Sequence, residues 1–426
     1  MAASPASASS EGHRRLPPDW HLAPFDKQPR TRLVFGRASV ARIGEFVGEM
    51  GGRRVLVVTD PGLVRAGHPA RICDLLRRAG AEVEVFDQVR ENPDTVCVDE
   101  CLAVARVFRP EVLVGLGGGS AMDTAKGCNF LHTNGGRMQD YWGVGKARRP
   151  MLPFVAIPTT AGTGSECQSA ALIADADSHM KMACLDPKAA ARIAILDPEL
   201  TVSQPRAVTA HTGIDAIAHA VETAVTARRN AISLMYSHEA FKLLVPSLPK
   251  VLRAPDDVEA RGRMLLGAAL AGTAIELSML GAAHSAANPL TAHFGVVHGV
   301  AVGLMLPHVV RFNAADPDVR LAYAELASAP EIACVSEGIG EAVEALVRRL
   351  EGLLNLAETP GSLGAAGVDG ALIPKMAEEA ARQWTANFNP RPLGREEFAA
   401  MYRAAEQPRG GGELGEDEEE GQGQGR

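Results

Sequence analysis

Four side chains in the second half of the chain could together hold a divalent cation: Asp215, His219, His284 and His298. Asp215 and His219 stand four apart in Thr212-Gly-Ile-Asp-Ala-Ile-Ala-His219, a stretch of helical character, so both project from one face. His284 and His298 follow in Gly281-Ala-Ala-His-Ser-Ala-Ala-Asn-Pro-Leu and Val297-His-Gly-Val. One carboxylate with three imidazoles suits Fe2+ or Zn2+ better than Mg2+ or Ca2+, which favour all-oxygen cages. With an open position, such a metal polarises an alcohol or carbonyl oxygen and helps a hydride leave for a nicotinamide.

Each residue also has a plainer reading. Thr212-x-x-Asp215 fits a capping box, in which the acid bonds back to the start of a helix. A single histidine on an apolar helix is usually a core residue. The combination carries the metal reading: seven of the twelve histidines fall between His211 and His308, and several lie in Gly- or Ala-rich segments suited to close packing. His211, His238, His293 and His308 are less well placed and read as structural or supporting groups.

A nucleotide would be the second reactant. Val112-Leu-Val-Gly-Leu-Gly-Gly-Gly-Ser-Ala-Met-Asp123 reads as strand, glycine turn and helix start, where backbone N–H groups approach a phosphate. The turn departs from the Rossmann fingerprint, since Ser120 stands where the third glycine belongs. The acid that could grip a ribose instead ends the first strand recognised, at Val57-Val-Thr-Asp60. Its charge favours NAD over NADP, although an aspartate so placed is, taken alone, more often a turn residue. Ile157-Pro-Thr-Thr-Ala-Gly-Thr-Gly-Ser-Glu166 offers hydroxyls and glycines after another strand.

These groups need a frame. Short apolar runs at 54–59, 82–86, 111–116, 153–158 and 192–196 read as strands, with helices at 66–79, 94–108 and 121–131 between the first four. Strands alternating with helices predict a parallel sheet covered on both faces. Residues 170–174 and 180–185 could add a hairpin. After Pro205 the periodicity becomes helical to about Ala405. The expected organisation is a disordered extension over 1–28, an α/β dinucleotide-binding domain over 29–204, an all-α metal-binding domain over 205–407, and a disordered acidic tail over 408–426.

Composition narrows the function. A 426-residue chain with 46% hydrophobic and 22% charged residues suits a soluble two-domain protein. The net charge of −8 disfavours nucleic acid, although six acids between Glu413 and Glu420 carry much of it. Seven scattered cysteines without a Cys-x-x-Cys pair point to reduced thiols and a cytoplasmic setting. No run resembles a secretory signal. The apolar stretch 264–287 is interrupted by Glu276 and reads as a buried core helix rather than a membrane span.

An ordered series of motifs resembles the iron-containing (group III) alcohol dehydrogenase family across roughly residues 30 to 407. It runs through Phe35-Gly36, Val58-Thr-Asp60, Glu91-Asn-Pro93, Gly117-Gly-Gly-Ser-Ala-Met-Asp-Thr-Ala-Lys126, the threonine-glycine cluster, Asp197-Pro-Glu-Leu200, the Asp215/His219 helix, His298-Gly and Asn389-Pro-Arg391. The resemblance implies a Rossmann-like domain plus a helical domain, the dehydroquinate synthase-like architecture, and an oligomeric assembly. It implies metal ligands at Asp215, His219, His284 and His298. It also implies NAD contacts at Asp60, Asn92, Gly117, Gly118, Gly119, Ser120, Asp123, Thr159, Thr160, Thr163, Lys181 and Leu200. Many members carry a second histidine where this chain has Asn288, near substrate and nicotinamide, and asparagine cannot titrate. The leading expectation is hydride transfer between a small alcohol and NAD. Alternatives on the same fold are a hydroxyacid–oxoacid transhydrogenase or a maleylacetate-type reductase, and no arginine flanks His284 or Asn288 to favour them. A non-catalytic NAD-binding protein with a structural metal is the remote alternative.

Overall fold

The computed structural model describes Phe25 and residues 27–178, 180–330, 332, 333, 336 and 338–409. The extension and acidic tail expected at the two ends therefore lie, apart from their inner residues, outside the described residues.

Six strands form a parallel sheet in the order β1-β9-β6-β4-β2-β3. They are β1 (Arg32–Phe35), β2 (Arg54–Val58), β3 (Glu82–Phe86), β4 (Val112–Gly117), β6 (Phe154–Pro158) and β9 (Ile193–Leu196). Alternate residues of each buried strand face opposite layers. Leu56, Val58 and Leu113 join one apolar cluster, whereas Val55, Val57, Val112 and Val114 join another across the sheet. Helices α1 (Ile43–Glu49), α2 (Pro61–Arg65), α3 (His68–Arg78), α4 (Thr95–Phe108) and α5 (Gly119–Asn134) cover it. A smaller sheet sets β5 (Gly143–Val144) beside the antiparallel pair β7 (Ala170–Ala174) and β8 (Lys181–Leu185).

Two features differ from the sequence expectation. The sheet starts earlier, with β1 at its edge, so Asp60 follows the second strand rather than the first. That four-residue strand has Leu33 and Phe35 exposed, which blunts its apolar signal. The apolar stretch 264–287 is also not one helix. It is the end of α8 (Val258–Ser278) and the start of α9 (Ala282–Phe294), which meet at 105°. Met279 at the break has φ 74°, a left-handed conformation incompatible with a continuing helix. Among the described residues no single helix is long and apolar enough to cross a membrane.

The helical half also contains α6 (Arg206–Thr223), α7 (Ala231–Arg253), α10 (His298–Asn313), α11 (Pro317–Ser328), α12 (Ile339–Leu356), α13 (Ile373–Ala381) and α14 (Arg395–Glu406). Small residues let these helices pack closely. A Cβ on Gly213 would sit 2.6 Å from Leu248 Cδ1, and one on Gly267 would sit 2.7 Å from Leu244 Cγ.

The loop after β6 joins the two halves. A Cβ on Gly162 would lie 2.5 Å from Thr212 Cβ on α6, and one on Gly164 would lie 2.5 Å from Gly272 Cα on α8. Lys126 holds the loop from the sheet side. Its buried ammonium donates to the carbonyls of Ser165 (2.7 Å), Gln168 (2.9 Å) and Ala170 (2.9 Å), and to Ser165 Oγ (3.0 Å). Glu276 of α8 accepts from the Ser169 N–H and hydroxyl.

Candidate metal centre and nucleotide edge

Asp215 lies mid-helix on α6, which rules out the capping-box reading. The helix begins at Arg206, and Thr212 Oγ donates to the Val208 carbonyl rather than capping anything. Asp215 is 4% exposed, and its Oδ1 lies 3.5 Å from His219 Nε2, 3.3 Å from His284 Nε2 and 3.8 Å from His298 Nε2. The candidate ligand atoms of Asp215, His284 and His298 fall within 4.8 Å of one another. The His219 ring stacks on His284 with centroids 4.8 Å apart. The structure thus brings all four groups together from α6, α9 and the first residue of α10. His298 keeps the open side, with its side chain 31% exposed.

The electrostatics suit a cation. Burial alone would raise Asp215, but His219, His298 and His284 outweigh it and hold the carboxyl below the usual range. Burial pushes His219 down to about 4, keeping it neutral with a free lone pair at neutral pH. Burial opposes charge on His284 too, but Glu222 and Asp215 outweigh it and lift the imidazole to about 9. Asp215 Oδ1 and His284 Nε2 are both buried without a hydrogen-bond partner of suitable geometry. Without a metal the protonated His284 ring faces Asp215 Oδ1 at 3.3 Å in poor hydrogen-bond geometry, and a cation replacing that proton would satisfy both atoms. The donor set and these orphaned atoms fit a divalent ion.

Glu222 was missed as a site residue. Its Oε2 lies 2.5 Å from His284 Nδ1 and its Oε1 accepts from the Ala283 N–H at 2.7 Å, which turns His284 Nε2 toward Asp215. The signal was present in the sequence: Asp215, His219 and Glu222 repeat at i, i+4 and i+7 on one helical face. Asn389 steadies the same corner. Its buried amide pairs with Asn313 and accepts from the Ala282 N–H.

The nucleotide groups gather at the carboxyl ends of the parallel strands, around the point between β2 and β4 where the strand order reverses. The β4–β6 ladder continues one bond beyond the strands, from Thr159 N–H to the Gly117 carbonyl at 3.0 Å. That bond sets the threonine loop against the glycine turn. A Cβ on Gly118 would meet Thr160 Oγ1 at 3.3 Å, and one on Gly119 would meet Thr163 Cγ2 at 2.9 Å. Helix α5 starts here with no side-chain cap, so its first N–H groups and those of Ser120 remain available to an anion.

Asp60 takes the turn role with one oxygen and leaves the other beside the glycine turn. Oδ1 caps α2 through Gly62 N (2.8 Å) and Leu63 N (3.1 Å), while a Cβ on Gly117 would lie 3.5 Å from Oδ2. Asn92 is exposed just past β3 in a left-handed conformation, φ 50°. Asp123 is buried, with Oδ1 accepting from Ser165 Oγ at 3.2 Å; burial pushes its carboxyl up to about 6. Lys181, at the start of β8, is exposed, and its charge bears on both Asp123 and His298. Leu200 stands apart: it is fully buried in the apolar cluster beneath the sheet, and its side chain offers no free surface. Asn288 lies one turn beyond His284, half-buried, and donates to Gln383 Oε1 at 3.0 Å.

Comparison with known proteins agrees with this geometry. Residues 29–198 match the iron-containing alcohol dehydrogenase family, and residues 209–406 match the C-terminal part of the Fe-containing alcohol dehydrogenase family. The chain is 35% identical to the NAD-dependent methanol dehydrogenase of Bacillus methanolicus over 74% of its own length and 79% of that protein's. It is 33% identical to 1,3-propanediol dehydrogenase of Klebsiella pneumoniae over 87% of its length and 96% of that protein's. The crystal structure of a 1,3-propanediol oxidoreductase superposes with a TM-score of 0.85 at 32% identity, covering 88% of this chain and 97% of the other. The chain belongs to the iron-containing alcohol dehydrogenase family and is an NAD-linked oxidoreductase of that class.

Proposed function

We propose that Asp215, His219, His284 and His298 hold one divalent cation, Fe2+ or alternatively Zn2+. We propose further that the enzyme uses it to interconvert a small primary or secondary alcohol and its aldehyde or ketone with NAD. One observation carries the assignment: a buried carboxylate oxygen and a buried imidazole nitrogen without partners, set among two further imidazoles. The bound cation would supply Lewis acidity toward the alcohol or carbonyl oxygen, and NAD would accept or give the hydride.

The chain's own groups do the rest. Glu222 fixes the His284 ring through Nδ1. Gly117, Gly118, Gly119 and Ser120 present backbone N–H groups to the pyrophosphate, and Thr159, Thr160 and Thr163 wall that cradle. Asp60 Oδ2 receives ribose hydroxyls, which disfavours the 2′-phosphate of NADP. Asn92, Asp123 and Lys181 line the remainder of the dinucleotide path, while Leu200 supports it from the core. Asn288 touches the substrate without titrating, so the hydroxyl proton leaves through water or a ribose hydroxyl.

The α/β unit is assigned to 29–204 and the helical unit to 205–407. Exposed Leu33 and Phe35 on the edge strand β1 support a homodimer or larger homo-oligomer. The six described cysteines, all free and buried, support a cytoplasmic setting. The test is NADH formation by Fe2+-loaded protein with a panel of short alcohols and diols. Alcohol-dependent reduction of NAD is expected, and no reduction across the panel contradicts the proposal.

A further inference from the structure

We propose that the acidic segment 413–420 docks on an arginine-rich face of its own chain, at the amino ends of the parallel strands, and shields that face from other polyanions. The face lies at the edge of the sheet opposite the nucleotide groups, so the inference stands apart from the function proposed above.

All strands of a parallel sheet begin at one edge, and backbone bonds tie these starts side by side. The Arg32 N–H donates to the Arg192 carbonyl (3.0 Å), Arg192 N–H to Phe154 (2.8 Å), Leu113 N–H to Pro153 (3.0 Å) and Glu111 N–H to Arg54 (2.8 Å). With neighbouring strands about 4.8 Å apart, the starts of β1, β9, β6, β4 and β2 span about 20 Å. Exposed arginines stand along this row: Arg192 before β9, Arg148 and Arg149 before β6, Arg109 before β4 and Arg53 before β2. Arg106 joins them from the last turn of α4. Asn134 Oδ1 accepts from the N–H groups of Arg148 (2.8 Å) and Arg149 (2.6 Å), which pins their loop to the end of α5.

These cations lack counter-charges. Among the described residues Arg53, Arg106, Arg109, Arg148, Arg149 and Arg192 form no ion pair. The acids on the same edge are mostly engaged. Glu49 pairs with Arg32 at 2.9 Å, and Glu111 pairs with Arg54 at 3.2 Å while accepting from the Arg53 and Arg54 N–H groups. Glu82 stands exposed at the start of β3, the far end of the row. A single-sign patch of this kind attracts polyanions, even in a chain of net charge −8.

The chain carries a polyanion of its own. Glu413, Glu416, Asp417, Glu418, Glu419 and Glu420 match the six unpaired arginines in number and oppose them in sign. The segment also starts within reach. The Arg409 N–H donates to the Gly361 carbonyl at 2.9 Å, and its guanidinium donates to the Thr359 and Pro360 carbonyls. Glu358 beside them pairs at 3.1 Å with Arg206, which opens α6 shortly after β9. From Arg409 to Glu420 an extended chain covers about 36 Å, about twice the length of a five-residue strand. Gly410, Gly411 and Gly412 place permissive backbone where the chain must turn.

The test uses a fluorescent synthetic peptide of residues 410–426, titrated by anisotropy with two full-length chains. One is wild type; in the other the six acids are replaced by their amides, a change that touches no described residue. A tethered tail acts at an effective concentration of about 1 mM, so a peptide Kd of about 100 µM or below for the neutral-tail chain implies at least about tenfold weaker binding to wild type. Arg148→Glu with Arg149→Glu in the neutral-tail chain should cut peptide affinity about tenfold or more, as should raising salt from roughly 0.05 M to roughly 0.5 M. Thermal melts check that this variant is folded, and Arg106→Gln with Arg192→Gln replaces it if not. Equal peptide affinity for wild type and neutral-tail chain, or for chains with and without the arginines, would overturn the proposal. Heparin gives a second readout: it should bind the neutral-tail chain about tenfold more tightly than wild type, and equal binding would show the face uncovered. Sedimentation velocity decides whose tail is bound. Association that grows with concentration in wild type and is absent from the neutral-tail chain would place the tail on a second copy and overturn the contact within one chain.

Discussion

Asp60 divides its two oxygens between the fold and the nucleotide edge. Oδ1 caps α2 and Oδ2 lies by Gly117, so deleting the side chain would confound stability with cofactor choice. Asp60→Asn separates them, because asparagine caps helices about as well as aspartate. We expect kcat/KM with NADP to rise about tenfold or more at unchanged Tm, measured by parallel NAD and NADP assays; unaltered NADP use would remove Asp60 from the ribose. Glu222 offers a second residue-level test. Glu222→Gln should weaken metal affinity about 10- to 100-fold while the protein stays folded, read by competition with a metal-binding dye. At this scale much was legible in the sequence, since Asp215, His219 and Glu222 repeat along one helix face. The convergence of His284 and His298 on them was carried by the resemblance of the motif series rather than by spacing. It depends on the bend at Met279, and α8 and α9 are continuous in apolar character.

The decisive element is the loop from Thr159 to Glu166, wedged between the glycine turn and helices α6 and α8. Gly164 is irreplaceable on two counts: φ 62° and a Cβ that would press on the backbone of Gly272 at 2.5 Å. Gly164→Ala should lower Tm by several degrees and weaken NADH binding together, as measured by thermal melts and fluorescence titration. Intact NADH affinity in the folded variant would show that the loop does not shape the cradle. The strand and helix elements were readable because buried strands run continuously apolar and α3 and α4 have clear periodicity. The edge strand β1 was not, because half-exposed four-residue strands resemble loops in composition. The wedge itself was equally hidden: the glycines were visible, but what they touch lies in α6 and α8, far along the chain.

Across the molecule, the two halves meet around buried ionisable groups. Burial pushes Glu166 up to about 7 from 4.5, and its Oε1 has no hydrogen-bond partner. A raised folded-state pKa contributes stability that is fully present below about 4.5 and lost as pH rises through about 7. Glu166→Gln should therefore gain stability relative to wild type between pH 5 and pH 8, by on the order of a few kcal/mol, in urea unfolding without added metal. A pH-independent difference would mean that Glu166 does not carry this term. The division into two halves around such an interface was legible from the switch in periodicity near Pro205, whereas the charge network was not, because Lys126, Ser165 and Glu276 are brought together only by folding. One cation held by Asp215 and three histidines is proposed to make this molecule an NAD-linked alcohol oxidoreductase. The most direct measurement is an anaerobic titration of metal-free protein with Fe2+, following bound iron and alcohol-dependent NADH formation in the same sample. Activity should rise in step with iron and saturate at about one ion per chain, and Asp215→Asn should lose both. Full activity in rigorously metal-free protein, or undiminished iron binding in Asp215→Asn, would show that this cation does not drive the reaction.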